Sequence, residues 1–201
     1  MPKAPAVPTV DTYTAEILRE NYAIHKEYVK VRKASAERTG LDIRLPNVPE
    51  DISENMVKFM IRNKLGDESC RWTKSVKKSK EHEDATKGDL CSRKEGRQEC
   101  KCFTSGGPSS FGPEEPWDVI YFLDMRGWLE DALTLYRVPL KNTDPRWQGL
   151  VMSNQGGTPV TFGDQCKQGR RPHKSWDSIR AQLPPELVET VYTGSFEGIF
   201  V

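Results

Sequence analysis

Residues 88–124 read GDLCSRKEGRQECKCFTSGGPSSFGPEEPWDVIYFLD, and this stretch decides the fold. Trp117–Asp124 is an almost unbroken apolar run, the pattern of a buried strand. Lys87–Ser92 and Arg97–Thr104 are strand-like segments ahead of it. Between them, Gly106–Pro116 packs Gly106, Gly107, Pro108, Gly112, Pro113 and Pro116 into a turn-rich connection. On an extended chain, residues i and i+2 point to one face, roughly 6.5–7 Å apart. Glu99 and Lys101 therefore share a face with Arg97 and Phe103. Gln98, Cys100 and Cys102 take the opposite face, toward a core. Asp89 sits on the preceding segment, where a hairpin or a short crossing would bring its carboxylate beside Glu99.

Two convergent carboxylates repel each other and call for a proton or a cation. Mg²⁺ suits such a place, because it takes carboxylate, water and phosphate oxygens. It can orient a water, lower its pKa and neutralise charge on a scissile phosphate. Lys101 adds a positive group for the attacking water or the developing phosphorane charge. Asp89 followed by Glu99-x-Lys101 is thus a self-consistent site for phosphodiester hydrolysis. Mg²⁺ is the expected cofactor, with Mn²⁺ as its substitute. The same short pattern also describes a surface strand with an i, i+2 ion pair of little energetic value. Gly88 leaves room for a close backbone approach, which favours the first reading.

Working outward, the chain has 201 residues, the size of one domain. Residues 1–10 form a loose N-terminus, 11–66 a helical part, 86–142 the catalytic core and 163–180 a basic segment suited to nucleic-acid recognition. Asp11 or Thr12 is placed to cap a first helix reaching about Glu37 and ended by Thr39-Gly40. Its apolar residues Ile17, Ala23 or Ile24, Tyr28 and Val31 have helical spacing. After a loop over Leu41–Asp51, Ser53 starts a second helix with Met56, Phe59, Met60 and Ile61 on its apolar face. Leu133–Leu140 reads as a strand, Asn142–Gly157 as a loop and Pro159–Phe162 as a short strand. Ser175–Gln182 reads as a short helix stopped by Pro184-Pro185. The fold class is α/β, a mixed sheet flanked by helices. No apolar run approaches the roughly 20 residues that span a bilayer. The first residues lack the apolar core of a secretory signal, so a soluble, cytoplasmic chain is expected. Five cysteines in such a chain do not suggest a disulfide framework. A zinc site from Cys91, Cys100 and Cys102 with Cys70 or His82 lacks a C-x₂-C pair, and buried thiols are the simpler account.

The net charge of +1 hides a sharp division. Residues 68–103 carry +3 and 165–180 carry +4, with −4 over 104–164 and −3 over 181–201. Local basic patches serve phosphate contact even when the total is neutral. Lys167, Gln168, Arg170, Arg171, His173 and Lys174 cluster in the second patch. Arg suits guanine and Gln suits adenine in the major groove. Lys74, Lys77, Lys78 and Lys80 form a further basic run. Ser105, Ser109 and Ser110 directly follow the catalytic strand and are placed to hold a phosphate backbone. Asn154 and Gln155, beside Gly156-Gly157, are candidate base readers.

Four segments together resemble the PD-(D/E)XK nucleases, specifically the type II restriction endonucleases. They are ISENMVK (52–58), GDL (88–90), ECKCFTSGGPSSFGP (99–113) and WDVIYFLD (117–124). The resemblance spans about residues 50–142. It implies the restriction-endonuclease-like fold, with Asp89 and Glu99 as metal ligands and Lys101 as the catalytic lysine. Glu54 matches the helical acidic residue that supports the metal site in that family, and with Asp89 and Glu99 it is expected to hold one or two metal ions. Gly88 stands where the motif carries proline. The implied activity is Mg²⁺-dependent, sequence-specific cleavage of double-stranded DNA. A homodimer suits a palindromic site, with the first helix (Ile17, Leu18, Ile24, Tyr28, Val31) as one place for the contact. A cognate DNA methyltransferase is the expected genetic partner. The alternatives are a structure-specific repair or junction-resolving nuclease of the same fold, and a non-catalytic zinc-stabilised DNA-binding protein.

Overall fold

A computed structural model describes residues 13–75 and 88–201. Two helices open the chain, α1 (Ala15–Thr39) and α2 (Glu50–Lys64). Strands β1 (Arg71–Trp72), β2 (Leu90–Ser92), β3 (Gly96–Phe103), β4 (Ser109–Ser110), β5 (Val119–Gly127) and β6 (Ala132–Val138) follow. Then come α3 (Pro145–Gln148), β7 (Val151–Gln155), β8 (Thr158–Thr161) and α4 (Phe162–Lys167). The chain closes with β9 (His173–Lys174), α5 (Trp176–Arg180), β10 (Glu189–Gly194) and a final 3-10 turn, Glu197–Phe200.

The main sheet has six strands in the order β1-β2-β3-β5-β6-β10. Only β3 and β5 run parallel, with Glu99 opposite Ile120 and Lys101 opposite Phe122; the other neighbours are antiparallel. The sheet is therefore mixed and flanked by helices, consistent with the restriction-endonuclease-like fold. A parallel step needs a long connection, and residues 104–118 supply it.

The apolar run of β5 is buried on both faces, which is why it does not alternate. Val119, Tyr121 and Leu123 face a cluster that includes Met56, Met60 and Ile61 of α2. Ile120 and Phe122 face a second cluster with Trp117, Trp147, Phe162 and Trp176. The Trp176 ring stacks on Phe122 at 4.1 Å between centroids. Cys100 and Cys102 pack half-buried against the first cluster, as the alternation of β3 requires. All five cysteines are free thiols, and burial pushes Cys91 up to about 11 and Cys102 to about 12.

Several boundaries differ from expectation. The cap of α1 is Thr14, whose side chain accepts from the Ile17 amide; Asp11 and Thr12 lie outside the described residues. Gly40 ends the helix at φ 67°. The buried face of α1 is Leu18, Tyr22 and Val29, rather than the expected stripe. Ile24, Tyr28 and Val31 are 62%, 49% and 59% exposed. Two apolar stripes run along this helix, and periodicity alone cannot choose between them. Helix α2 starts at Glu50, before Ser53, because Pro49 punctuates the chain and Glu50 and Asp51 suit a helix N-terminus. The expected loop over 142–157 contains α3 and β7, and β7 forms a hairpin with β8. No described helix is long and apolar enough to cross a membrane.

Candidate active site

The β2–β3 hairpin sets the first two acidic groups. Gly88, at φ 94°, lets the chain pass close to β3; a Cβ there would lie 3.2 Å from the Gln98 carbonyl oxygen. Asp89 then donates its amide to that carbonyl at 3.1 Å. Its Oδ2 accepts from the Cys100 amide at 2.9 Å, so the carboxylate is fixed beside Glu99. Glu99 is 4% exposed, and its Oε1 lies 2.5 Å from Lys101 Nζ. The Lys101 ammonium also sits 5.5 Å from the centre of the Phe111 ring. Removing one member of so buried a pair costs about 3–5 kcal/mol, because the other charge is left behind.

Helix α2 brings Glu54 to the same cavity. Its carboxylate is 4% exposed and accepts from Trp72 Nε1 at 2.6 Å. Lys74 reaches it at 2.8 Å and also touches Glu50 at 3.3 Å. Sequence placed Lys74 in a phosphate-binding run, whereas here it neutralises Glu54. Burial first, and then the charge of Asp89, raise both glutamates: Glu54 to about 8 and Glu99 to about 7. Burial works to lower the Lys101 pKa, but the adjoining Glu99 outweighs it and the net shift is upward. Among the described residues, no three His, Cys, Asp or Glu side chains form a ready metal cluster. The reason is visible in the pairs: Glu54 is turned to Lys74 and Trp72, and Glu99 to Lys101.

These groups line one cavity of about 960 Å³, together with Ser105, Ser109, Ser110 and Arg171. Ser109 and Ser110 arrive there because β4 pairs with β9, Ser109 opposite Lys174 and Ser110 opposite His173. The Phe111 amide donates to the Pro172 carbonyl at 3.0 Å and extends the ribbon. Two distant segments singled out in the sequence are thus joined. Gln168, Arg170 and Arg171 are exposed on the α4–β9 loop, with Lys167 at the end of α4 and His173 at the start of β9 exposed on either side. Lys174 is turned inward, donating to the Met152 carbonyl at 3.3 Å. Asn154 and Gln155 are exposed at the β7–β8 tip, where Gly156 and Gly157 take positive φ and are not among the cavity's lining residues. Lys77, Lys78 and Lys80 lie outside the described residues, as does His82.

Residues 11–179 match the Bsp6I restriction endonuclease family. The chain belongs to that family. Membership places it among site-specific DNA endonucleases, with DNA as the substrate class. The matched span contains the cavity residues from Arg44 to Arg171. No curated protein and no solved structure matches the chain. Arg44 and Asn47, on the α1–α2 connection, also line the cavity and were missed by sequence reasoning. They sit in a proline-broken loop with no motif around them, so only their arrangement in space reveals them.

Proposed function

We propose that this family member is a type II enzyme of the PD-(D/E)XK kind, hydrolysing phosphodiester bonds in double-stranded DNA at a specific sequence with Mg²⁺. The observation that carries the reading is the seating of Asp89, Glu99 and Lys101 together at one end of the β2–β3 hairpin. The donor set fits the ion. Its acidic groups are all carboxylates, and Mg²⁺ ordinarily takes one or two of these and completes its shell with water and phosphate oxygens. Asp89 and Glu99 would hold it, with Glu54 as a further oxygen donor from α2 once the ion displaces Lys74. When bound, the ion supplies neutralising charge and a more acidic water; Mn²⁺ is the expected substitute.

The chain's own groups account for the rest. Lys101 keeps its proton at Nζ and, held by Glu99 and Phe111, is oriented to donate to a phosphate oxygen or an attacking water. The hydroxyls of Ser105, Ser109 and Ser110 offer donors to the DNA backbone. Gln168, Arg170 and Arg171 present donors to base edges. A homodimer matches a palindromic site, and the exposed Ile17, Ile24, Tyr28 and Val31 are its proposed contact. A cell holding such an enzyme must mask its own sites, so a cognate methyltransferase is the expected genetic partner.

The test is digestion of plasmid DNA with Mg²⁺, with Mn²⁺ and with a chelator. Discrete fragments that vanish with the chelator are expected. Cleavage confined to branched DNA would overturn the sequence-specific reading, and no cleavage with either metal would overturn the hydrolytic one.

A further inference from the structure

Four cationic side chains line the cavity: Arg44, Lys74, Lys101 and Arg171. Two are already used, Lys74 on Glu54 and Lys101 on Glu99. Among the described residues, neither Arg44 nor Arg171 has a carboxylate within ion-pair distance. They come from two separate walls. Arg171 belongs to the ribbon side, next to the Pro172 carbonyl that accepts from Phe111. Arg44 belongs to the α1–α2 connection. That connection is anchored to the end of the catalytic strand, because Thr104 Oγ1 donates to Asn47 Oδ1 at 3.0 Å.

We propose that Arg44 is a DNA-backbone clamp, holding a phosphate of the strand that enters the cavity while Arg171 serves the other wall. The inference rests on the nuclease reading above. A guanidinium is suited to the task, since it meets a phosphate with two parallel N–H donors and stays charged at any working pH. Both arginines are exposed, and among the described residues neither must give up a carboxylate partner to bind. The carboxylates gathered in the same cavity would repel a polyanion, and two uncommitted guanidiniums at the walls offset that repulsion. A backbone contact carries no base information. Arg44 therefore sets affinity and position, not sequence choice.

The test uses the full chain and a labelled DNA duplex, without divalent cations, by fluorescence anisotropy across a range of salt. Arg44→Ala is expected to weaken binding about tenfold or more. It should also reduce the slope of log K against log salt by about 0.9 for each bound protomer, the signature of one lost phosphate contact per copy on duplex DNA. Arg44→Lys should recover part of the loss. Lys30→Ala removes one charge from α1, outside the cavity, and should leave both quantities near those of the unaltered chain. Equal weakening by Arg44→Ala and Lys30→Ala would overturn the clamp in favour of a general charge effect. So would an Arg44→Ala chain that binds as the parent does. A parent chain that cuts plasmid DNA while Arg44→Ala is unaffected sinks this inference alone. A parent chain that neither binds nor cuts DNA sinks the nuclease reading with it.

Discussion

The helical face of the sheet is covered by Leu18, Met56, Met60 and Ile61, whereas the other face is covered by Trp117, Trp147, Phe162 and Trp176. The difference follows from the lengths of the covering elements. Helix α1 has 25 residues and α2 has 15, long enough to present many aliphatic side chains. On the other face α3, α4 and α5 have only 4, 6 and 5 residues. Helices that short do not form alone, and each is held by large rings that bury much area per residue. The proposed catalytic groups of α2 and β3 thus rest on a long helix and the main sheet. The proposed base-reading groups between α4 and β9 rest on short pieces packed by aromatic rings.

That contrast can be broken at several points. The largest effect is expected between the two faces, on the sheet itself. Asp89→Ala and Lys101→Ala should each lower cleavage by about 10³-fold or more, with DNA binding largely kept, as measured by plasmid digestion and gel shift. Activity within a few-fold of the parent in either variant would sink the proposed site. Next in size is the aromatic anchor. Trp176→Ala should cost about 3–5 kcal/mol in denaturant unfolding, against about 2–5 kcal/mol for Met60→Ala on the helical face. An unchanged unfolding midpoint for Trp176→Ala would show that the short elements hold themselves. Smaller still are Asn154→Ala and Gln155→Ala at the hairpin tip. Each should relax discrimination at one base pair by about 1–3 kcal/mol if it reads a base, checked by cleavage of DNA libraries, with stability unchanged. Last comes Ile24→Asp, expected to change the stability of the single chain by no more than about 0.5 kcal/mol because the side chain is exposed there. Light scattering should nevertheless show the proposed dimer giving way to monomer. A dimer that persists would move the contact elsewhere.

The same contrast explains what could be read from the sequence. The two helices and the buried run of β5 announce themselves through period and turn residues, whereas the Asp89–Lys101 segment could be read as a hairpin or a short crossing and the structure shows the hairpin. The placement of Glu54 beside Asp89 followed from a motif and is seen in the cavity. The β4–β9 ribbon was hidden, since each strand has two residues and they meet across more than sixty positions of chain. Strand β10 was hidden as well: ETVYTG is half exposed at the sheet edge and carries no clean alternation. On α1 the helix was legible and its buried face was not, because tertiary packing chose Leu18, Tyr22 and Val29 over a stripe of equal apolar character. Lys74 went to a glutamate instead of a phosphate for a like reason, as a charge run does not reveal which member meets an internal partner.

The 104–118 connection has one more consequence. It leaves β3 at Phe103, passes through Ser109-Ser110 and returns at Val119 as the parallel neighbour. Both of its ends are locked into the sheet, and its middle is locked to the α4–β9 loop. On the reading proposed above, this segment is a ruler. It fixes how far the broken bond stands from the bases that are read, so a change in its length would shift the cut along the DNA while leaving the chosen sequence the same.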